Sequence, residues 1–310
     1  MDKSSRIYVA GHTGMVGSAI VRALKARGYE NLLLMNRGEL DLRGHRPVAD
    51  YFRATRPEYV FMAAARVGGI QANISQPAEF IMDNMLMQAS VIQAAYLTAA
   101  FRPVKKLLFL GSSCMYPRDC PQPMREDMLL SGPPEPTNRA YAIAKIAGME
   151  MCRAYRQQYG CNFITAIPCN VYGPGDHYEP ERAHVIPTLI SRMAARVEAL
   201  AIDVWGTGTP RREFMHVDDL AAACLFLMEN HDSPEPINAG TGQDIQIAEL
   251  AYLIARVADY RAMVRFRTSE PDGAPQKLLD VSRINALGWK AKIGLEEGLR
   301  RTIEEYKGRR

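Results

Sequence analysis

The chain has 310 residues, of which 47% are hydrophobic and 23% charged, the balance of a folded enzyme and not of a disordered or fibrous chain. Its formal net charge of +4 comes from scattered basic residues. The densest basic run, Lys307 with Arg309 and Arg310, reads as a solvated tail, so no nucleic-acid partner is expected. The N-terminal MDKSSRIYVAG runs into a strand without a signal segment, and apolar stretches such as 60–65 and 107–110 are too short to cross a bilayer, so the expectation is a cytoplasmic protein with no membrane partner.

In chain order, short apolar runs at 6–10, 31–35, 59–63, 106–110 and 162–168 read as strands. Between them, 16–27, 46–56, 84–100 and 141–159 read as helices. Strands alternating with helices predict an α/β fold: a doubly wound parallel sheet of Rossmann type with helices on both faces. After residue 170 the pattern loosens, and Gly173, Pro174, Gly175, Pro180 and Pro187 suggest loops that shape a site. Helical segments follow at 185–201, 248–258 and 295–306, and 216–228 reads as a helix returning to the sheet. The expected organisation is a cofactor domain of 1–170 plus roughly 215–240, interleaved with a smaller substrate domain of 171–214 and 241–310.

Six cysteines are present, Cys114, Cys120, Cys152, Cys161, Cys169 and Cys224. None forms a Cys-x-x-Cys pair or a zinc-spaced cluster with His, so no metal site is expected and most read as reduced, buried thiols.

The first strand leads into Gly11, His12, Thr13, Gly14, Met15, Val16 and Gly17, which open a helix. Small residues at this spacing allow a tight turn, bring backbone N–H groups to a pyrophosphate and pack helix on sheet. At the end of the second strand stand Asn36 and Arg37, with no carboxylate until Glu39 and Asp41. A guanidinium there suits a 2′-phosphate, so NADP(H) is favoured over NAD(H), although an ordinary loop arginine would look the same.

Tyr141 and Lys145 are four residues apart, which places phenol and ammonium on one helix face. A cation beside a tyrosine is expected to lower its pKa and ready it for proton transfer. Ser112 and Ser113 follow the fourth strand, where open α/β sheets bind ligands, and a serine there can hydrogen-bond a carbonyl that becomes an alkoxide. A glycine fingerprint, a serine after the fourth strand and Tyr-x-x-x-Lys about thirty residues on form the pattern of the extended short-chain dehydrogenase/reductases.

Within that group, the segments GHTGMVGSAI (11–20), AAARVGG (63–69), GSSCMYP (111–117), PTNRAYAIAKIAG (136–148), NVYGPGD (170–176), HVIP (184–187), VWGTGTPRREFMHVDD (204–219) and PDGAPQKLLD (271–280) resemble the GDP-L-fucose synthase family, in the same order over nearly the whole chain. The resemblance implies NADPH-dependent conversion of GDP-4-keto-6-deoxy-D-mannose to GDP-L-fucose, with epimerisation at C3 and C5 preceding reduction at C4. A 4-keto group acidifies both neighbouring C–H bonds, so one base and one acid are needed on opposite sides of the ring. The resemblance gives these roles to Cys114 and His184, which on their own would read as an inert thiol and a loop histidine. It gives Ser112 the ketone oxygen, Tyr141 the proton for that oxygen, and Lys145 the nicotinamide ribose. It also places Arg37, Asp41, Leu110, Gly111, Ser113, Pro168, Cys169, Asn170, Val171 and His184 around the cofactor, and Arg192, Trp205, Arg212, Asp272 and Lys277 around the GDP-sugar.

The chain departs from the family at Arg139 and Ala140, which replace Glu-Pro after Asn138, and at His177 and Tyr178 in place of Asn-Phe. Ala183 stands where a serine is usual, and Thr13 where an arginine often lies. These changes bear on the sugar and the 2′-phosphate, so a reductase or epimerase/reductase of a related GDP-4-keto sugar, such as a 6-deoxy-heptose or dideoxy sugar, is the alternative. A non-catalytic NADP-binding regulatory module is the remote one. By analogy with similar folds, the helices at 84–100 and 141–159, apolar on more than one face, are expected to form a homodimer interface.

Overall fold

The computed structural model describes residues 1–98, 104–179, 183–194, 201–261, 263–270 and 272–309. Pro180, Pro271, Arg310 and the end of the helix expected to reach Ala100 lie outside these.

The first half builds one parallel sheet. Its elements are β1 (Ile7–Ala10), α1 (Met15–Ala26), β2 (Leu32–Leu33), α2 (His45–Thr55), β3 (Tyr59–Met62), α3 (Ile70–Ser75), α4 (Pro77–Leu97), β4 (Lys106–Leu110), α5 (Arg139–Tyr159) and β5 (Phe163–Pro168). The strand order is β2-β1-β3-β4-β5-β9, closed by β9 (Ile237–Ala239), with every pair parallel. Strands buried on both faces need apolar residues at every position, which is why IYVA of β1 is buried throughout. Alternation splits the side chains between two cores. Ile7 and Val9 join α1 and α7 (Val217–Asn230) on one face, and Tyr8 and Ala10 join α2, α4 and α5 on the other. The helix expected at 216–228 thus returns to the sheet.

The remaining elements form a second layer: β6 (Asn170–Tyr172), α6 (Val185–Ala194), β7 (Ala201–Trp205), β8 (Arg211–His216), β10 (Asp244–Gln246), α8 (Ile247–Ala258), β11 (Met263–Arg267), β12 (Gln276–Lys277), α9 (Ser282–Ala286) and α10 (Leu295–Gly308). Strand β8 is central, antiparallel to β10 and parallel to β6 and β12. Leu189, Ile190, Leu250, Ile254, Leu299 and Ile303 form a third core from α6, α8 and α10. The helix expected over 185–201 does not include its last residue: α6 is described over Val185–Ala194, residues 195–200 lie outside the described part, and Ala201 opens β7. The helix expected from 84 begins a full two turns earlier, with Pro77 in its first turn, where a missing N–H is no loss.

Two buried polar groups fasten the layers. Glu213 on β8 accepts from the backbone N–H of Thr241, Gly242 and Leu279 at 2.6, 2.7 and 2.9 Å. Asn238 on β9 accepts from the Tyr116 hydroxyl, and its Nδ2 donates to Met124 O and Asp280 O at 2.9 and 3.0 Å. Ile284 and Trp289, from α9 and the turn after it, pack back into the core beneath α1 and α7.

Among the described residues no helix is long and apolar enough to cross a membrane.

Candidate active site

The site lies along the carboxyl edge of the parallel sheet, at the point where the winding reverses. From β1 the chain moves out to β2, then returns to β3 on the other side of β1. This reversal opens a crevice, and the glycine turn sits at its mouth. Gly11 has φ +81°, and a Cβ there would lie 2.7 Å from Ala64 Cα. A Cβ on Gly17 would lie 2.0 Å from Gly11 O. Both glycines are therefore required by contact between backbones. Gly14 occupies the N-cap of α1 with no side chain over the first N–H groups, so the positive end of α1 faces outward, with His12 and Thr13 on the turn and Met15, Val16 and Gly17 in its first turn.

Beyond β2, Arg37 is exposed and its charge reaches Asp41. Asp41 is held mainly by the Arg43 side chain, which takes its carboxyl down to about 2. Arg43 continues to Asp83, and Asp83 to Arg66 of the 63–69 segment. A chain of ion pairs thus joins the loop after β2 to α4 and to the 63–69 segment.

At the end of β4, Leu110 and Gly111 lead into a 3-10 turn, Ser113–Met115, capped by Ser112. Ser112 Oγ accepts from Cys114 N at 3.2 Å, so the serine shapes the turn that presents the thiol. From α5, Tyr141 and Lys145 approach the same turn. Tyr141 meets Phe80 edge-on, with centroids 6.4 Å apart. Lys145 is buried, its Nζ donating to Leu110 O at 2.8 Å and lying 5.9 Å from the Tyr141 ring centre. The expected depression of the Tyr141 pKa by Lys145 is not found. Burial raises the phenol well above its ordinary value, the Cys114 charge adds to this, and the Ser112 hydroxyl opposes it. Burial instead lowers Lys145 to about 8. Proximity of a cation is outweighed here by the desolvation of the phenol itself.

His184 immediately precedes α6, and the Gly69 turn abuts the backbone of Ala183. His184 is exposed, yet desolvation by the groups around it, and then the charge of His177, push its pKa down. Arg212 on β8 is more deeply enclosed. Its pKa is lowered by burial and raised by the charges of Glu135, Asp272 and Cys114. A guanidinium from β8 thus stands in the field of the thiol. Lys277 is paired in register with Arg212, and Asp272 accepts from Thr207 N and Oγ1 at 2.9 and 2.7 Å. Trp205, at the end of β7, is 59% exposed. Arg192 is also exposed, its Nη1 donating to Asp203 O at 2.9 Å. Pro168, Cys169, Asn170 and Val171 connect β5 to β6. Cys169 is buried with its pKa raised by desolvation, and Asn170 Nδ2 donates to Glu213 O at 3.2 Å.

The structure therefore gathers Ser112, Ser113, Cys114, Tyr141 and Lys145 on two adjoining elements and brings Arg212 to them. Arg192 on α6 and Trp205 at the end of β7 are exposed, and no contact described for them joins them to this group. Asn138 was not singled out by sequence reasoning, although its Nδ2 donates to Cys114 Sγ at 3.0 Å. Its position directly before a helix was the available signal. Among the described residues no group of three or more His, Cys, Asp or Glu side chains is arranged to hold a metal.

A crevice at the reversal of a doubly wound sheet, a glycine turn opening α1 and a Ser-Tyr-Lys set at the next strand end define a dinucleotide-dependent enzyme site. The profile of the NAD dependent epimerase/dehydratase family matches residues 7–240, and the chain belongs to that family. It is 49% identical to GDP-L-fucose synthase of Escherichia coli K12, over 97% of this chain and 96% of that protein. It is likewise 49% identical to GDP-L-fucose synthase 1 of Arabidopsis thaliana, over 98% of this chain and 94% of that one. Among solved structures, the GDP-mannoheptose C4 reductase of Campylobacter jejuni with NADP bound superposes with a TM-score of 0.90 at 37% identity, covering 99% of both chains.

Proposed function

We propose that the chain is an NADPH-dependent enzyme that epimerises C3 and C5 of GDP-4-keto-6-deoxy-D-mannose and reduces C4, giving GDP-L-fucose. The observation that carries this reading is the 49% identity to GDP-L-fucose synthases over nearly full length, joined to a Cys114 thiol on the same turn as Ser112. The residues fit the cofactor: the turn closed by Gly11 and Gly17 has no room for side chains against its backbone, and Arg37 is exposed in the loop after β2, available to a 2′-phosphate. When bound, NADPH supplies the hydride for C4.

The protein's own part is proton management. Cys114 and His184 exchange the protons at the acidified carbons. A thiolate takes a C–H proton, the electron pair passes into the ketone as an enolate, and the second group returns a proton to the opposite face. Ser112 hydrogen-bonds the C4 oxygen, and Tyr141 protonates it as it becomes an alkoxide. The raised Tyr141 pKa suits a group that must hold its proton until that oxygen gains charge. Lys145 would hold the nicotinamide ribose. Arg192, Trp205, Arg212, Asp272 and Lys277 receive the GDP-sugar, with Arg212 deepest.

Residues 1–170 with roughly 215–240 serve as the cofactor lobe and 171–214 with 241–310 as the substrate lobe. The six-stranded sheet and α7 support the division, while Ile284 and Trp289 tie the C-terminal part back to the first core. We further assign a cytoplasmic homodimer. In its support, α4 and α5 leave Met82, Leu86, Leu97 and Ile143 on the surface, an apolar face of the kind a second copy covers.

The test is NADPH oxidation with GDP-4-keto-6-deoxy-D-mannose and NMR identification of the product. GDP-L-fucose supports the proposal. Oxidation only with a GDP-4-keto-heptose, the reading favoured by the likeness to the Campylobacter reductase, would move the substrate and leave cofactor and fold in place.

A further inference from the structure

We propose that Asn138 is a positioning residue for proton transfer at carbon, its side-chain N–H holding the Cys114 sulfur as an anion and fixing its direction. This rests on the reading of Cys114 as an acid/base. Asn138 is the N-cap of α5. Asparagine is among the best residues for that position because its side-chain oxygen accepts from an N–H of the first helical turn. Here the side chain makes no cap hydrogen bond. It is turned away from its own helix, and Nδ2 lies 3.0 Å from Cys114 Sγ.

That contact is closer than other sulfur hydrogen bonds of the protein: Ser112 N to Met115 Sδ at 3.3 Å, Gln88 Nε2 to Met85 Sδ at 3.4 Å, Cys120 to Met128 at 3.5 Å, and Cys169 Sγ to Asn170 O at 3.7 Å. Asn138 Oδ1 is buried and has no partner among the described residues. The amide is thus held by the sulfur alone, at the expense of the helix cap and of its own acceptor. A local rule broken in this way, with the stability it forgoes, marks a functional site.

An N–H donor favours thiolate over thiol, because the hydrogen bond strengthens when the acceptor carries charge. The other groups facing the sulfur can be named. From α5 come the positive N-terminal end of the helix and the Tyr141 phenol, and from β8 comes Arg212, itself faced by Glu135 and Asp272. Helix end and guanidinium favour the anion. Neither gives it direction, since a long-range field has no preferred line of approach. Asn138 supplies that line, while Ser112 Oγ fixes the same residue from its backbone side at 3.2 Å. Thiol and amide come from two elements, so their separation is set by the packing of α5 against the Ser113–Met115 turn.

The test compares Asn138→Ala and Asn138→Asp with wild type, as full-length proteins. Three quantities are measured: the pH profile of Cys114 alkylation by iodoacetamide, read on its peptide by mass spectrometry; deuterium uptake from heavy water into GDP-4-keto-6-deoxy-D-mannose without NADPH; and the melting temperature. Aspartate is an N-cap as good as asparagine and adds a favourable charge at a helix start. A purely structural role therefore leaves Asn138→Asp as stable and as active as wild type. The proposed role makes it the worst variant, since a carboxylate beside the sulfur opposes the thiolate. The alkylation midpoint is expected to rise by about one pH unit in Asn138→Ala and further in Asn138→Asp, with deuterium uptake near neutral pH falling roughly tenfold or more. Alkylation profiles and uptake within twofold of wild type in both variants would overturn the proposal, as would a loss of uptake that follows melting temperature with the alkylation profile unmoved. If the wild type itself takes up no deuterium, the reading of Cys114 falls, and the alkylation profiles alone still decide whether the amide governs the sulfur.

Discussion

Replacing Gly17 by alanine isolates what the glycine turn contributes. The added methyl carbon would stand 2.0 Å from Gly11 O, 2.6 Å from Gly11 C and 2.9 Å from His12 Cα. All three neighbours are backbone, so no rotamer change relieves the overlap. Reaching even 3.0 Å from the oxygen requires the turn and the start of α1 to separate by about 1 Å. Overpacking of this kind costs about 1–3 kcal/mol of stability. The larger effect falls on the cofactor, because a shift of this size breaks a hydrogen bond from the turn to the charged pyrophosphate, about 1.5–3 kcal/mol, or roughly a ten- to hundredfold loss of binding. Titration of NADPH fluorescence should show this loss, with urea denaturation of the apoprotein reporting the smaller change in folding. Gly28→Ala is the control. Its φ of +76° carries backbone strain, but nothing lies within 4 Å of the new methyl, so stability falls by about 1–2 kcal/mol while NADPH binding stays put. A Gly17→Ala protein that binds NADPH within threefold of wild type would refute the reasoning.

Tyr141→Phe should lower reduction by about 10²- to 10⁴-fold while deuterium still enters C3 and C5, as judged by NADPH absorbance beside NMR; equal loss of both would show that the phenol acts before the hydride step. Lys145 has its folded pKa depressed from 10.5 to about 8, so the unfolded chain keeps a proton that the fold has released between those values, and stability contributed by this group rises with pH across that window. Urea midpoints of wild type should show this rise between pH 8 and 10.5, and Lys145→Met should lose it, being no less stable than wild type at pH 7 though inactive. Lys106 is buried at the start of β4 and donates to the carbonyls of Leu227, Met228 and His231 at the end of α7. Lys106→Met strands these acceptors and removes a cation from a helix C-terminus, a loss of about 2–4 kcal/mol measurable by urea denaturation.

The first half of the fold was legible because its strands are apolar runs of ordinary length between periodic helices. Strand β4, KLLFL, is the clearest case, its limits read without error. Strand β9 was not legible: INA has three residues, too few for a period to show. Strand β11, MVRFR, pairs among the described residues with β7 alone and alternates exposed with half-buried positions, so it lacks a buried apolar signal. In the candidate site, motif spacing singled out Ser112, Tyr141 and Lys145, which the fold sets at one strand end and on the helix that follows. Arg212 was assigned to the substrate, but its place in the field of Cys114 depends on how β8 packs and has no signature in spacing. The state of Tyr141 was misread for a related reason. Sequence separation reveals a neighbouring cation, whereas the desolvation that outweighs it exists only after folding.

The closure of the parallel sheet by β9 also shapes how the protein can be made. Strand β5 ends at Pro168 and β9 begins at Ile237, about 70 residues later. At translation speeds of about 5–20 residues per second, several seconds pass in which β5 emerges as a bare edge with its N–H and C=O groups unpaired, a template for pairing with another nascent chain. Chains stopped near residue 170 should aggregate for the same reason, and a split version should dissolve only when the two pieces are produced together.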